Sequence, residues 1–109
     1  METRYTIIKP DGRQHDDRVE WPKDPGYDRI KTLVTPILGG DLEHVSVLHD
    51  GKPTDMFVDE EGVRKHLERN DKATAIYRAW WIKGHPTDNP EALSAIYGTA
   101  ILFHRRVWF

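Results

Sequence analysis

The sequence predicts an α+β fold: one domain, with two principal helices packed on a mostly antiparallel sheet. Three observations predict it. Apolar, β-branched runs come in pairs joined by short turns, over residues 4–21 and 41–59. Two stretches, beginning near Pro25 and near Asn70, carry helical spacing and punctuation. The most apolar run, Ile96 to Phe103, comes late and reads as a central strand. With 109 residues the chain is long enough for one such domain and too short for two.

The elements follow in order. Arg4-Tyr5-Thr6-Ile7-Ile8 is aromatic and β-branched, and Lys9-Pro10-Asp11-Gly12 is a turn in which Pro sets φ and Gly takes a positive φ. Gln14 to Trp21 is polar apart from Val19 and Trp21, as expected of an edge strand returning beside the first. Asp24 then caps a helix with Pro25 at its first position. Ile30, Leu33, Val34 and Ile37 share one face of that helix, Pro36 removes a backbone donor near its end, and Gly39 suits the left-handed cap.

Asp41 to Leu48 has apolar residues on both alternation phases, so this strand is expected to be covered on both faces. Asp50-Gly51 is a tight hairpin signal, and Pro53 to Asp59 returns. Met56 and Val58 point one way; Asp55, Phe57 and Asp59 point the other. Glu60-Glu61-Gly62 turns the chain, and Val63 to Arg69 reads as a short helical turn with Leu67 inward. Asn70 caps the second helix, and Ala73, Ile76, Tyr77 and Trp80 line its inner face. Residues 84–90 are rich in breakers. Residues 104–109 either continue the last strand or leave the body as an arm.

Composition narrows the function. There is no cysteine, which excludes disulfides, thiolate nucleophiles and cysteine zinc sites. No signal peptide and no run of about 20 apolar residues is visible, so a soluble cytoplasmic protein without membrane contact is expected. Net charge is −2, but it is uneven: net −6 over residues 1–61 and net +4 over residues 62–109. The uneven charge allows two faces with different partners.

Chemical motifs are sparse. Asp41, Glu43, Asp55, Asp59, Glu60 and Glu61 lie on or beside two pairing strands and could hold Mg²⁺ or Ca²⁺, yet no calcium-loop spacing is present. The six histidines lack zinc-ligand spacing, and no serine sits in a nucleophile elbow. Gly39-Gly40 ends a helix, whereas a phosphate loop begins one. No catalytic residue, metal site or cofactor is therefore assigned. Thr74 is expected to bond backbone. The surfaces that stand out are Trp80-Trp81-Ile82-Lys83 and the basic, aromatic stretch from Phe103 to Phe109.

The order of several short motifs resembles a known family. Gly39-Gly40-Asp41-Leu42-Glu43 leads a strand, and Met56-Phe57-Val58-Asp59-Glu60-Glu61-Gly62 follows a hairpin. Asn70, Ala73 and Thr74 open a helix, and Gly98-Thr99-Ala100-Ile101-Leu102 closes the domain. From Ile7 to Leu102 the chain looks like small proteins catalogued only as a domain of unknown function. They occur in phages, plasmids and actinobacteria, sometimes near antirestriction genes. The resemblance implies a mobile-element setting and no reaction. Trp81 to Ala95 is longer than in that pattern, and the tail from His104 is additional.

Three functional expectations follow. The first is a non-enzymatic interaction domain that binds a protein partner, or itself as a homodimer, through Trp81, Lys83, Arg105, Arg106, Trp108 and Phe109. On this expectation, removing residues 104–109 leaves a folded core. The second is nucleic-acid binding by the basic C-terminal half, with Arg105 and Arg106 on phosphates and the rings on bases. The third is a small metal-dependent hydrolase or nuclease built on Glu60 and Glu61.

Overall fold

A computed structural model describes residues 1–109. It has seven principal elements: β1 (Glu2–Ile8), β2 (Gln14–Glu20), α1 (Tyr27–Leu38), β3 (Leu42–His49), β4 (Lys52–Asp59), α2 (Asp71–Gly84) and β5 (Ala100–Phe103). All strand pairs are antiparallel, in the order β2-β1-β5-β4-β3. The fold is α+β, as the sequence predicts, with one helix on each face of the sheet.

Side-chain alternation produces these two layers. On β4, Phe57 joins Tyr5, Trp21, Ile101, Phe103 and Val107 under Ile30, Val34 and Leu38 of α1. Its neighbours Met56 and Val58 join Ile8, Val45, Val47, Ala100 and Leu102 under Ala73 of α2. A central strand buried on both faces has no room for a polar phase, and every residue of β5 is buried. No helix is long and apolar enough to cross a membrane.

The helix ends differ in how they are satisfied. Gly39 takes the left-handed cap of α1 at φ 79° and donates to the Thr35 carbonyl. The start of α1 departs from expectation. Gly26, not Asp24, is its N-cap, and no side chain caps it. Asp24 instead accepts the Gly26 N–H at 3.1 Å, so its carboxylate serves the turn before the helix. Asn70 does cap α2: its Oδ1 accepts the Ala73 N–H at 3.0 Å.

Two other expectations are corrected. Residues 60–66 form successive turns with no helix, although Leu67 does face inward, against Gly98. The last strand begins at Ala100 rather than Ile96. Ile96 has spent its backbone elsewhere: its carbonyl accepts the Asn70 N–H and its own N–H donates to the Thr74 hydroxyl. Thr74 thus bonds backbone, but across the fold. Gly98 then turns the chain at φ 90°, and a Cβ there would lie 2.7 Å from Leu67 Cδ1. Gly98→Ala is expected to cost about 2–3 kcal/mol in urea unfolding, from backbone strain plus overpacking. Leu67→Ala in the same chain should return only the steric part.

The tail is no free arm. The His104 N–H donates to the Arg4 carbonyl at 3.0 Å, extending the β1 pairing by one bond. Val107 is fully buried. Only Arg106 and Phe109 among residues 104–109 are exposed.

Candidate functional site

The residues singled out from sequence are scattered. The Arg105 guanidinium is half-buried and engaged within the chain, donating to Thr3 Oγ1 at 2.7 Å and to the carbonyls of Pro22 and Lys23 at 3.0 and 2.7 Å. It ties the tail to the segment between β2 and α1 and is not offered to a phosphate. The Trp108 ring stacks on His44 of β3, with centroids 5.1 Å apart and planes 8° apart. Trp81 is half-buried, stacks on His85 and donates its indole N–H to Asp88 at 2.9 Å. Lys83, Arg106 and Phe109 are exposed. The basic-aromatic strip expected from sequence is therefore not one surface.

What Trp81 and Trp108 share is β3. Trp108 packs on one face of that strand, and Trp81 lines a cleft on the other. The cleft holds about 510 Å³. Glu43 and Val45 of β3, Val58 of β4 and Tyr77, Trp80 and Trp81 of α2 are among its walls. Val63, 70% exposed, stands at its rim as one of the few large apolar side chains left in water.

β3 is the last strand of the sheet, so one side of its backbone is free. The Glu60 N–H bonds the Asp41 carbonyl, and antiparallel pairs alternate between bonded and unbonded. In the register Leu42↔Asp59 to His49↔Lys52, the odd-numbered residues of β3 bond β4. The N–H and C=O groups of His44, Ser46 and Leu48 point outward. No turn, loop or cap bonds them.

No known protein family, curated protein or solved structure matches the chain.

The two ends of the sheet contrast in chemistry. β2, the other edge, reads Gln-His-Asp-Asp-Arg-Val-Glu and is exposed at every residue but Val19. Charges on both of its faces repel a neighbouring strand. β3 reads Leu-Glu-His-Val-Ser-Val-Leu-His and has no Lys, no Pro and no bulge. Only Glu43 on it is exposed. One edge carries the features that block pairing; the other carries almost none.

The strongest electrostatic feature of β3 is a dyad that sequence reasoning missed. His44 Nε2 donates to Asp55 Oδ1 at 2.6 Å, and Asp55 Oδ2 accepts the N–H groups of Val107 and Trp108 at 2.7 and 2.9 Å. Burial pushes the Asp55 carboxyl up. The His44 bond and the two tail N–H groups outweigh it and hold the acid below the usual carboxylate range. The signal was present: a two-residue Asp50-Gly51 turn sets Ser46 opposite Asp55 and His44 diagonally across from it on the same face. The dyad positions the tail; with both Asp55 oxygens engaged it resembles a structural clamp more than an acid–base pair.

The acidic turn does not converge on a site. Asp59 accepts from Lys65 Nζ at 2.8 Å and from the Glu61 N–H, and these outweigh its burial to keep its pKa low. Glu61 pairs with Arg64. No group of three His, Asp or Glu residues is placed to hold a metal ion. At the far end of the sheet His104 Nε2 donates to Thr6, which donates to Asp16 at 2.6 Å, while the His49 ring stacks on His104 with centroids 4.4 Å apart. Burial, then the neighbouring His49, lowers the His104 pKa.

Proposed function

We propose that this chain is a cytoplasmic protein-interaction module that adds an extended segment of a protein partner to the free edge of β3. The observation that carries the reading is the contrast between a charged β2 edge and an unguarded, largely apolar β3 edge. Strand addition supplies main-chain hydrogen bonds from His44, Ser46 and Leu48, and pockets beside the strand supply selectivity. An incoming strand would send alternate side chains towards the Trp80–Trp81 cleft, where Glu43 and Glu60 favour a basic residue at one end. No bond-making chemistry is needed for this role. An accessory role in a phage or plasmid, implied by the motif order, is compatible with it.

Selection from a random decapeptide library displayed on phage tests the reading. Enriched peptides should alternate β-branched apolar residues with polar ones and should contain Lys or Arg. Ser46→Pro should reduce their capture more than tenfold. The Ser46 N–H points outward, so proline there blocks a neighbour while sparing the β4 ladder. Ser46→Lys, a charged edge residue on a fold that keeps its urea midpoint, should act in the same direction. No enrichment, or equal capture by wild type and both variants, would sink the proposal.

A further inference from the structure

Resting on the strand-addition reading above, we infer that the segment taken by β3 is the β3 of a second copy, paired antiparallel about a two-fold axis through Ser46 and normal to the sheet. In that register the strand is complementary to itself. The outward backbone groups of Ser46 meet those of the second Ser46, and those of His44 meet Leu48 of the second copy. Every outward donor and acceptor from His44 to Leu48 finds a partner.

The side chains agree. On the α2 face Glu43 lies opposite His49 of the second copy, and Val45 lies opposite Val47. An apolar centre is thus flanked at each end by an acid–imidazole pair. Glu43 is exposed and takes part in no ion pair within its own chain. The neighbouring registers lose this match. Centring on Val45 sets Glu43 against Val47, and centring on Val47 sets it against Gly51. A two-fold axis normal to the sheet keeps both α2 helices on one face, so the two Trp80–Trp81 clefts flank the new strand pair. The result is one ten-stranded antiparallel sheet, with the charged β2 strands at its outer ends.

Sedimentation equilibrium over rising protein concentration should show the mass climbing from 12.7 kDa towards twice that value. Ser46→Pro and Ser46→Lys should hold it at 12.7 kDa. Register is read by cross-linking, since the chain has no cysteine of its own. Under oxidised glutathione, Ser46→Cys should form a disulfide dimer at least tenfold faster than Leu48→Cys, because two copies of residue 48 would sit roughly 14 Å apart along the strands. Glu43→Lys should weaken the dimer, and adding His49→Glu should restore it. A mass fixed at 12.7 kDa, or equal cross-linking at both positions, overturns the inference. If peptide capture still depends on Ser46 in that event, the interaction reading survives and only the second copy is lost; if capture fails too, both fall.

Discussion

Asn70→Ala is expected to lower stability by about 3–5 kcal/mol, among the largest effects of any single side-chain truncation in the chain. Asn70 is fully buried and uses every polar atom it has. Its Oδ1 caps α2 through the Ala73 N–H, while its Nδ2 donates to the Ile8 and Gly98 carbonyls, both at 2.9 Å. Its backbone N–H and C=O bond Ile96 and Thr74. One side chain thus ties the start of α2 to β1 and to the approach to β5. Ala removes the cap and takes a donor from two buried carbonyls. Asn70→Ser, which keeps a capping oxygen and loses the amide, should fall between wild type and Ala. Asn70→Asp should cost at least as much as Ala, because it sets a carboxylate against two carbonyl oxygens. Urea unfolding followed by tryptophan fluorescence orders the three variants. A cost for Ala within that of a simple cap, about 1 kcal/mol, would show that the two amide bonds contribute nothing.

Asp55→Ala is expected to cost about 3–4 kcal/mol, because it strands three donors at once. The Val107 and Trp108 N–H groups and the His44 imidazole lose their shared acceptor. The tail should loosen, with faster amide exchange at Val107 and Trp108 as a signature that a general core defect would not confine there. The same geometry reverses the expectation that residues 104–109 can be removed from an intact core. Deleting them takes away Val107, which packs with Tyr5, Phe57 and Phe103, and leaves buried Asp55 with only His44.

The pH dependence carries its own sign. The Asp55 carboxyl is held below its ordinary value in the folded state. Its contribution is therefore fully present above the unfolded value of 3.8 and is lost as pH falls from there through the folded pKa. Asp59 is lowered as well and adds to the same acid limb. Asp55→Asn should flatten that limb without abolishing it, measured as the change in urea midpoint from neutral pH to below about pH 4. An acid limb as steep in Asp55→Asn as in wild type would place the linkage on other carboxyls.

Much of the framework is legible in local patterns. The Asp50-Gly51 hairpin, the opposed faces of Met56 and Phe57, and the Gly39 and Asn70 caps each follow from a few neighbouring residues. The candidate site is less legible, because it depends on strand order. Nothing local says that β5 inserts between β1 and β4, and it is this insertion that leaves β3 outermost with its backbone unpaired. Arg105 and Trp108 looked available because a basic-aromatic tail has the composition of an interface. Their hydrogen-bonding and stacking partners, Thr3, Pro22, Lys23 and His44, lie at least 60 residues away in sequence.

The amino-acid order by itself determined the α+β class, the Gly39 and Asn70 caps, the hairpin register and the apolar character of the central last strand, since periodicity and turn chemistry act over a few residues. The tertiary structure alone decided which strand became an open edge, that the tail closes the core through Asp55, and that Trp81 and Trp108 end on opposite faces of β3. Those outcomes come from long-range packing and hydrogen bonding, where a group is free or consumed according to what the distant chain brings to it.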